Sequence, residues 1–217
     1  MSNPVVIANL ALSHLGDDAT VSSIDPPEGS AQAEQAAQFY PVARDALIEM
    51  FPWNFALRRC SPAVLEEQPV SQWRYAYALP SNALQVFEVQ GPDDTDDIVA
   101  GNYGPFAVIN GSSDFEIETD VDGTRVLYTN TTDARIRYTV SVSDTTRFPP
   151  LFTTTLSYFL ASWLAGPVLK GETGRTVARE MLVLMRTFIA EATKSDAKQR
   201  RANRFREQHT APWMMNR

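Results

Sequence analysis

The chain has 217 residues, 44% hydrophobic and 21% charged, which is enough apolar content to bury a core without staples and too much for wholesale disorder. Cys60 is the only cysteine, and His14 and His209 are the only histidines; this excludes an intrachain disulfide and a thiolate-built zinc site and fits folding in a reducing compartment. The formal charge of −7 is unevenly spread: residues 1–150 hold 8 basic and 21 acidic side chains, whereas residues 151–217 hold 11 and 5, so segments of opposite sign are expected to meet different partners.

The first residues, Met1 to Leu10, lack the basic start of a signal peptide. The longest apolar run, Leu151 to Val168, is interrupted by Thr, Ser and Gly-Pro and falls short of a bilayer span. A soluble protein without a membrane partner is expected.

Asn3-Pro4 predicts a first helix, with Asn as cap and Pro at the first helical position. Val6, Leu10 and Leu15 fall on one broad face of it, and Gly16 is placed to end it. Asp25-Pro26-Pro27-Glu28-Gly29-Ser30 is a breaker. A second helix is predicted from Ser30, carried by Ala33, Ala36, Ala37, Tyr40, Leu47, Met50 and Phe51. Pro41 is expected to kink it, and Pro52 and Pro62 to stop regular helix. Phe51, Trp53 and Phe55 are expected to plug the core below that stop.

From Trp73 the period changes to two. Tyr75 and Tyr77 alternate with Arg74, Ala76 and Ala78; Phe115, Ile117 and Thr119 alternate with Asp114, Glu116 and Glu118. Ile136, Tyr138, Val140 and Val142 alternate with Arg135, Arg137, Thr139 and Ser141. Such runs predict half-buried strands with one wet face, and Asn110-Gly111 and Asp122-Gly123 predict tight turns between strands. Residues 73–143 thus read as an antiparallel unit of about five or six strands.

After Phe148-Pro149-Pro150 the helical period returns with Phe152, Leu156, Phe159, Leu160, Trp163 and Leu164, and Gly166-Pro167 is expected to break it. Residues 172–194 give the clearest amphipathic helix, with Val177, Met181, Leu184, Met185, Phe188 and Ala192 on one stripe. The fold class expected is α+β. An antiparallel bundle of about four helices is formed by 1–72 and 148–195, an inserted antiparallel β domain by 73–147, and an extended basic C-terminal tail by 196–217.

Catalytic motifs are scarce: there is no Gly-x-Ser-x-Gly and no His-Glu-x-x-His. Gly171 to Thr176 lacks the Gly-Lys-Ser/Thr ending of a phosphate loop and reads as a helix start. His14 reads as a packing or capping histidine, and His209 as a solvated one. Cys60 reads as a buried structural thiol, although Arg58 and Arg59 beside it could lower its pKa. Asp93, Asp94, Asp96, Asp97, Asp120 and Asp122 offer hard oxygens for calcium but do not follow the 12-residue loop pattern; a solvated acidic face is the default. An acidic surface facing passing DNA would also repel its phosphates.

The basic tail has three readings: a phosphate binder, a docking arm for an acidic protein surface, or a frayed helix end placed well for its dipole. Exposing Trp213, Met214 and Met215 gains nothing for a free tail, which favours docking. The candidate docking residues are Lys198, Arg200, Arg201, Arg204, Phe205, Arg206, Trp213 and Met214.

Several segments in order carry a family resemblance. They are Ala8 to Gly16, Tyr40-Pro41-Val42-Ala43-Arg44-Asp45-Ala46-Leu47, Phe51-Pro52-Trp53-Asn54-Phe55-Ala56, Trp73-Arg74-Tyr75-Ala76-Tyr77-Ala78-Leu79-Pro80 and Phe148-Pro149-Pro150-Leu151-Phe152. Over roughly residues 3–195 the chain resembles the tail tubular protein A family, the head-to-tail adaptors of short-tailed, T7-like phages. The resemblance implies a structural virion protein at the head-tail junction, made in the host cytoplasm. It implies a ring, usually of twelve copies, below the portal protein, extending the DNA channel and receiving the tail nozzle protein. Genomic DNA would pass without sequence-specific binding, and no cofactor or catalytic residue is implied. Binding of nucleic acid through the basic tail is the alternative reading; an enzyme using the clustered acids is a third.

Overall fold

The computed structural model describes residues 3–66, 72–92, 113–120 and 122–199. Over these the chain is α+β, with four helices and two small antiparallel sheets. Helix α1 spans Pro4–His14; Asn3, in extended backbone, caps it by accepting the Val6 N–H at 2.7 Å, and Pro4 supplies a helical φ where no donor is needed. Its buried side is Ile7, Ala8, Ala11 and Leu12, with Leu15 just beyond, whereas Val6 and Leu10 are 43% and 39% exposed. Of the broad face Val6, Leu10 and Leu15, Leu15 alone is buried, because α1 is apolar nearly all round. Periodicity cannot pick a side there; Ile7, Ala8, Ala11 and Leu12 are the buried residues, and α1 packs chiefly on the helix described below as α3.

Helix α2 (Ala31–Glu49) starts at Ser30, whose hydroxyl accepts the Ala33 N–H. Ala33, Ala36, Tyr40, Ala43, Leu47 and Ile48 are buried at helical spacing. The helix runs unbroken through Pro41, which lies on the exposed side. Met50, which recurs at the same helical spacing, is 52% exposed. Below the helix end Trp53 is fully enclosed, and its indole N–H donates to the Leu47 carbonyl at 2.9 Å, so the polar end of a large apolar side chain is satisfied.

Strand β1 (Leu57–Cys60) follows, in a stretch expected to be helical or irregular. Two arginines in four residues give no alternating pattern; the strand exists through its partner, pairing Arg58 with Tyr138 and Arg59 with Arg137. The remaining strands are β2 (Tyr75–Ala78), β3 (Ala83–Gln90), β4 (Phe115–Thr119), β5 (Arg125–Thr129) and β6 (Arg135–Val140). They form two sheets, with orders β1-β6-β3 and β2-β5-β4. Asp122-Gly123 makes the β4–β5 turn, with Gly123 at φ +78, a conformation that glycine adopts without steric cost. Asn110-Gly111 lies outside the described residues. Strands β2 and β5 bury neighbours on both faces, Ala76 with Tyr77 and Val126 with Leu127, so the wet face expected for Tyr75–Ala78 is covered.

Helix α3 (Pro150–Leu169) is the centre of the helical layer and packs against α1, α2 and helix α4 (Gly171–Lys198). It continues through Gly166-Pro167; the break comes at Lys170 and Gly171, with φ +55 and +60. The buried hydroxyls of Thr155 and Ser162 donate to the carbonyls of Leu151 and Phe159, which satisfies them inside the packed helix; the buried Thr153 hydroxyl has no hydrogen-bond partner among the described residues. On α4, Met185 and Ala192 are buried and Val177, Met181 and Phe188 half-buried, but Leu184 is 39% exposed. No helix among the described residues is long and apolar enough to cross a membrane.

Candidate docking site

Of the eight candidate docking residues, Lys198 alone lies within the described residues; Arg200, Arg201, Arg204, Phe205, Arg206, Trp213 and Met214 lie outside them. Lys198 is exposed in the last turn of α4, where a cation meets the negative end of the helix dipole. The helix reaches past residue 195, so the first residues of the expected tail are helical, and one of them is structural. Asp196 is 3% exposed. Its carboxylate accepts the Asn54 backbone N–H at 3.1 and 3.3 Å, and the Asn54 amide donates to the Asp196 carbonyl at 2.8 Å.

That pair fastens the end of α4 to the turn after Trp53. The turn itself is fixed from behind by aromatic packing: Trp53 meets Phe152 edge-on at 5.0 Å, Phe55 meets Phe152 at 4.8 Å, and Phe148 meets Phe152 at 4.9 Å. The root of the candidate docking arm is therefore held beside an aromatic cluster of the core. Spacing of charges could not reveal this, because Asn54 and Asp196 are 142 positions apart.

Beside this root, a cleft of about 400 Å³ is lined by Asn54, Leu57, Arg58, Arg59 and Arg137. The β1–β6 register sets Arg59 directly opposite Arg137. Like charges so placed repel, and Glu88, 2% exposed, lies 3.6 Å from Arg137 across the sheet and counters that charge. A second cleft, of about 470 Å³, lies over Tyr75 and Tyr77 between Pro62 and Asp133.

The other singled-out residues fall as follows. His14 stacks on Tyr158 at 4.0 Å, and Tyr158 stacks on Phe188 at 5.0 Å, a three-ring column joining α1, α3 and α4. The Ser157 hydroxyl donates to the Thr154 carbonyl, so His14 Nε2 is the donor in its 3.1 Å contact with Ser157 Oγ. Partial burial holds the His14 pKa below its usual value. Cys60 is half-buried, and desolvation pushes its thiol up, against the lowering that Arg58 and Arg59 suggested.

Asp120 and Asp122 flank the β4–β5 turn, and Asp93 to Asp97 lie outside the described residues. Among the described residues no group of three His, Cys, Asp or Glu side chains could hold a metal ion. What sequence reasoning passed over is basic. Besides the cleft arginines there is a ridge on α4: Arg175, Arg179 and Arg186 are exposed and share one flank with Val183, which is 61% exposed. The helical period used to find the apolar stripe of α4 would have found this ridge too. No protein-family model matches the chain, and no curated protein matches it.

Proposed function

We propose that this protein is a head-to-tail adaptor of a short-tailed phage: a structural subunit that rings below the portal, extends the DNA channel and receives the tail nozzle. In this reading the four helices form an antiparallel bundle, the sheets between α2 and α3 are an inserted domain directed toward the tail side or the channel, and the residues after α4 are an arm that docks on the portal. The ordered set of motifs resembling the tail tubular protein A family carries the reading. Two of those segments, Phe51–Ala56 and Phe148–Phe152, converge on one aromatic cluster. Segments that meet in the core are expected to define a fold, which gives the motif set a physical basis. The role in the virion rests on the resemblance.

The geometry refines the test of the arm. Because Asp196 is built into the fold, truncation belongs after Gln199. A chain ending there is expected to keep its thermal stability and to lose binding to purified portal. Unchanged portal binding by the folded truncated chain would remove the arm from the account.

A further inference from the structure

We infer that the arginine ridge on α4 docks onto the acidic row of β4 in a second copy of this chain, making a head-to-tail contact between subunits. The inference rests on the ring reading above and names the surfaces that would close it.

The ridge is built by helical geometry. Residues 175, 179, 183 and 186 follow one another at steps of four, four and three, so Arg175, Arg179, Val183 and Arg186 stand in line along about 16 Å of helix. All four are exposed, and the apolar side of α4 is turned away toward α3. Among the described residues none of the three guanidinium groups makes an ion pair. An exposed valine between exposed arginines gains nothing on a free surface; it suits the centre of a contact with a charged rim.

The complementary surface is on the same chain. Strand period two places Asp114, Glu116, Glu118 and Asp120 on one face over about 20 Å, while Phe115 and Ile117 pack toward the core on the other. Asp114, Glu116 and Glu118 are exposed. Spacing is compatible: alternate strand residues stand about 6.6 Å apart, and one helical step of four residues covers about 6 Å. Arginine also matches carboxylates in a bidentate fork.

The two surfaces belong to different parts of the molecule, since α4 packs on α3 and β4 pairs with β5. A contact between unlike surfaces on identical copies is heterologous, and such contacts close into rings when the rotation allows. The partner is therefore a second copy of this chain; the portal and duplex DNA are the competing occupants.

The test uses the full chain with purified portal and reads particle mass. Two double variants are compared with wild type, Arg179→Glu/Arg186→Glu and Asp114→Lys/Glu118→Lys. The second leaves Glu116 in place because it accepts the Trp73 indole N–H at 2.9 Å. Each variant alone is expected to weaken subunit association at least about tenfold, and the chain carrying all four changes is expected to recover it. Circular dichroism checks that each variant is folded, and raising salt on wild type alone should weaken assembly in parallel.

Wild-type rings that survive either charge reversal unchanged would overturn the inference while leaving the adaptor reading standing. Loss on reversing the arginines with none on reversing the acids would assign the ridge to the portal or to DNA, and also overturn it. A wild-type chain that neither associates with itself nor with portal would overturn the adaptor reading and the inference together.

Discussion

At the scale of single residues, one buried and one partly buried group make the folded state sensitive to pH. The Tyr40 hydroxyl is buried and has no hydrogen-bond partner among the described residues, and desolvation raises its pKa to about 12 from 10.0. A donor left unsatisfied costs about 1–3 kcal/mol, so Tyr40→Phe is predicted to stabilise the protein by about 1 kcal/mol in urea denaturation. The folded state binds the Tyr40 proton more tightly than the unfolded one. Its contribution is complete below pH 10 and is lost as pH rises toward 12; the phenylalanine variant should lack that alkaline component.

His14 works in the opposite direction. Its pKa is lowered, so the folded state favours the neutral ring, and the stability this gives is present above the ordinary imidazole pKa of 6.5 and is lost as pH falls through the lower folded value. The Ser157 contact is donated by Nε2 and survives protonation, so the loss comes from charging a partly buried ring. Melting temperature measured from pH 7.5 to 5 should fall for wild type more steeply than for His14→Gln.

At the scale of elements, the close crossing of α3 and α4 depends on Gly174. A Cβ there would lie 2.7 Å from the Ala165 carbonyl oxygen, with Gly166 Cα at 3.4 Å. Alanine would improve helix propensity by about 1 kcal/mol, but the neighbour in contact is backbone and cannot step aside cheaply. Gly174→Ala is predicted to destabilise by about 1–3 kcal/mol; a neutral or stabilising result in thermal unfolding would mean the helices can separate there without loss. Asp196→Ala is predicted to cost about 2–3 kcal/mol and to raise hydrogen exchange in the last turns of α4, because it removes the acceptor for the Asn54 N–H.

How much of this was readable beforehand follows the reach of each interaction. The caps at Asn3 and Ser30 and the amphipathic α4 were legible because their chemistry lies within a few residues. Strand β1, the division into two sheets and the Asn54–Asp196 clasp were not, because each is decided by a partner far along the chain. The continuous passage of α3 through Gly166-Pro167, where a break was expected, shows tertiary context overriding a local breaker. Of the segment proposed to dock, charge and the Trp213-Met214-Met215 run were legible; the fastening of Asp196 to Asn54 before it was not.

At the scale of the whole molecule, a helical layer centred on α3 and two small sheets share one hydrophobic core, and basic and acidic rows stand on different elements. We read that arrangement as a subunit made to meet unlike surfaces: neighbours through its helices and β4, the portal through the segment after α4. The most direct test is the mass of the full chain alone and mixed with purified portal, by mass photometry in low salt. The account predicts discrete closed particles of many copies on the portal, of fixed stoichiometry. A chain that remains monomeric and leaves the portal mass unchanged would contradict it.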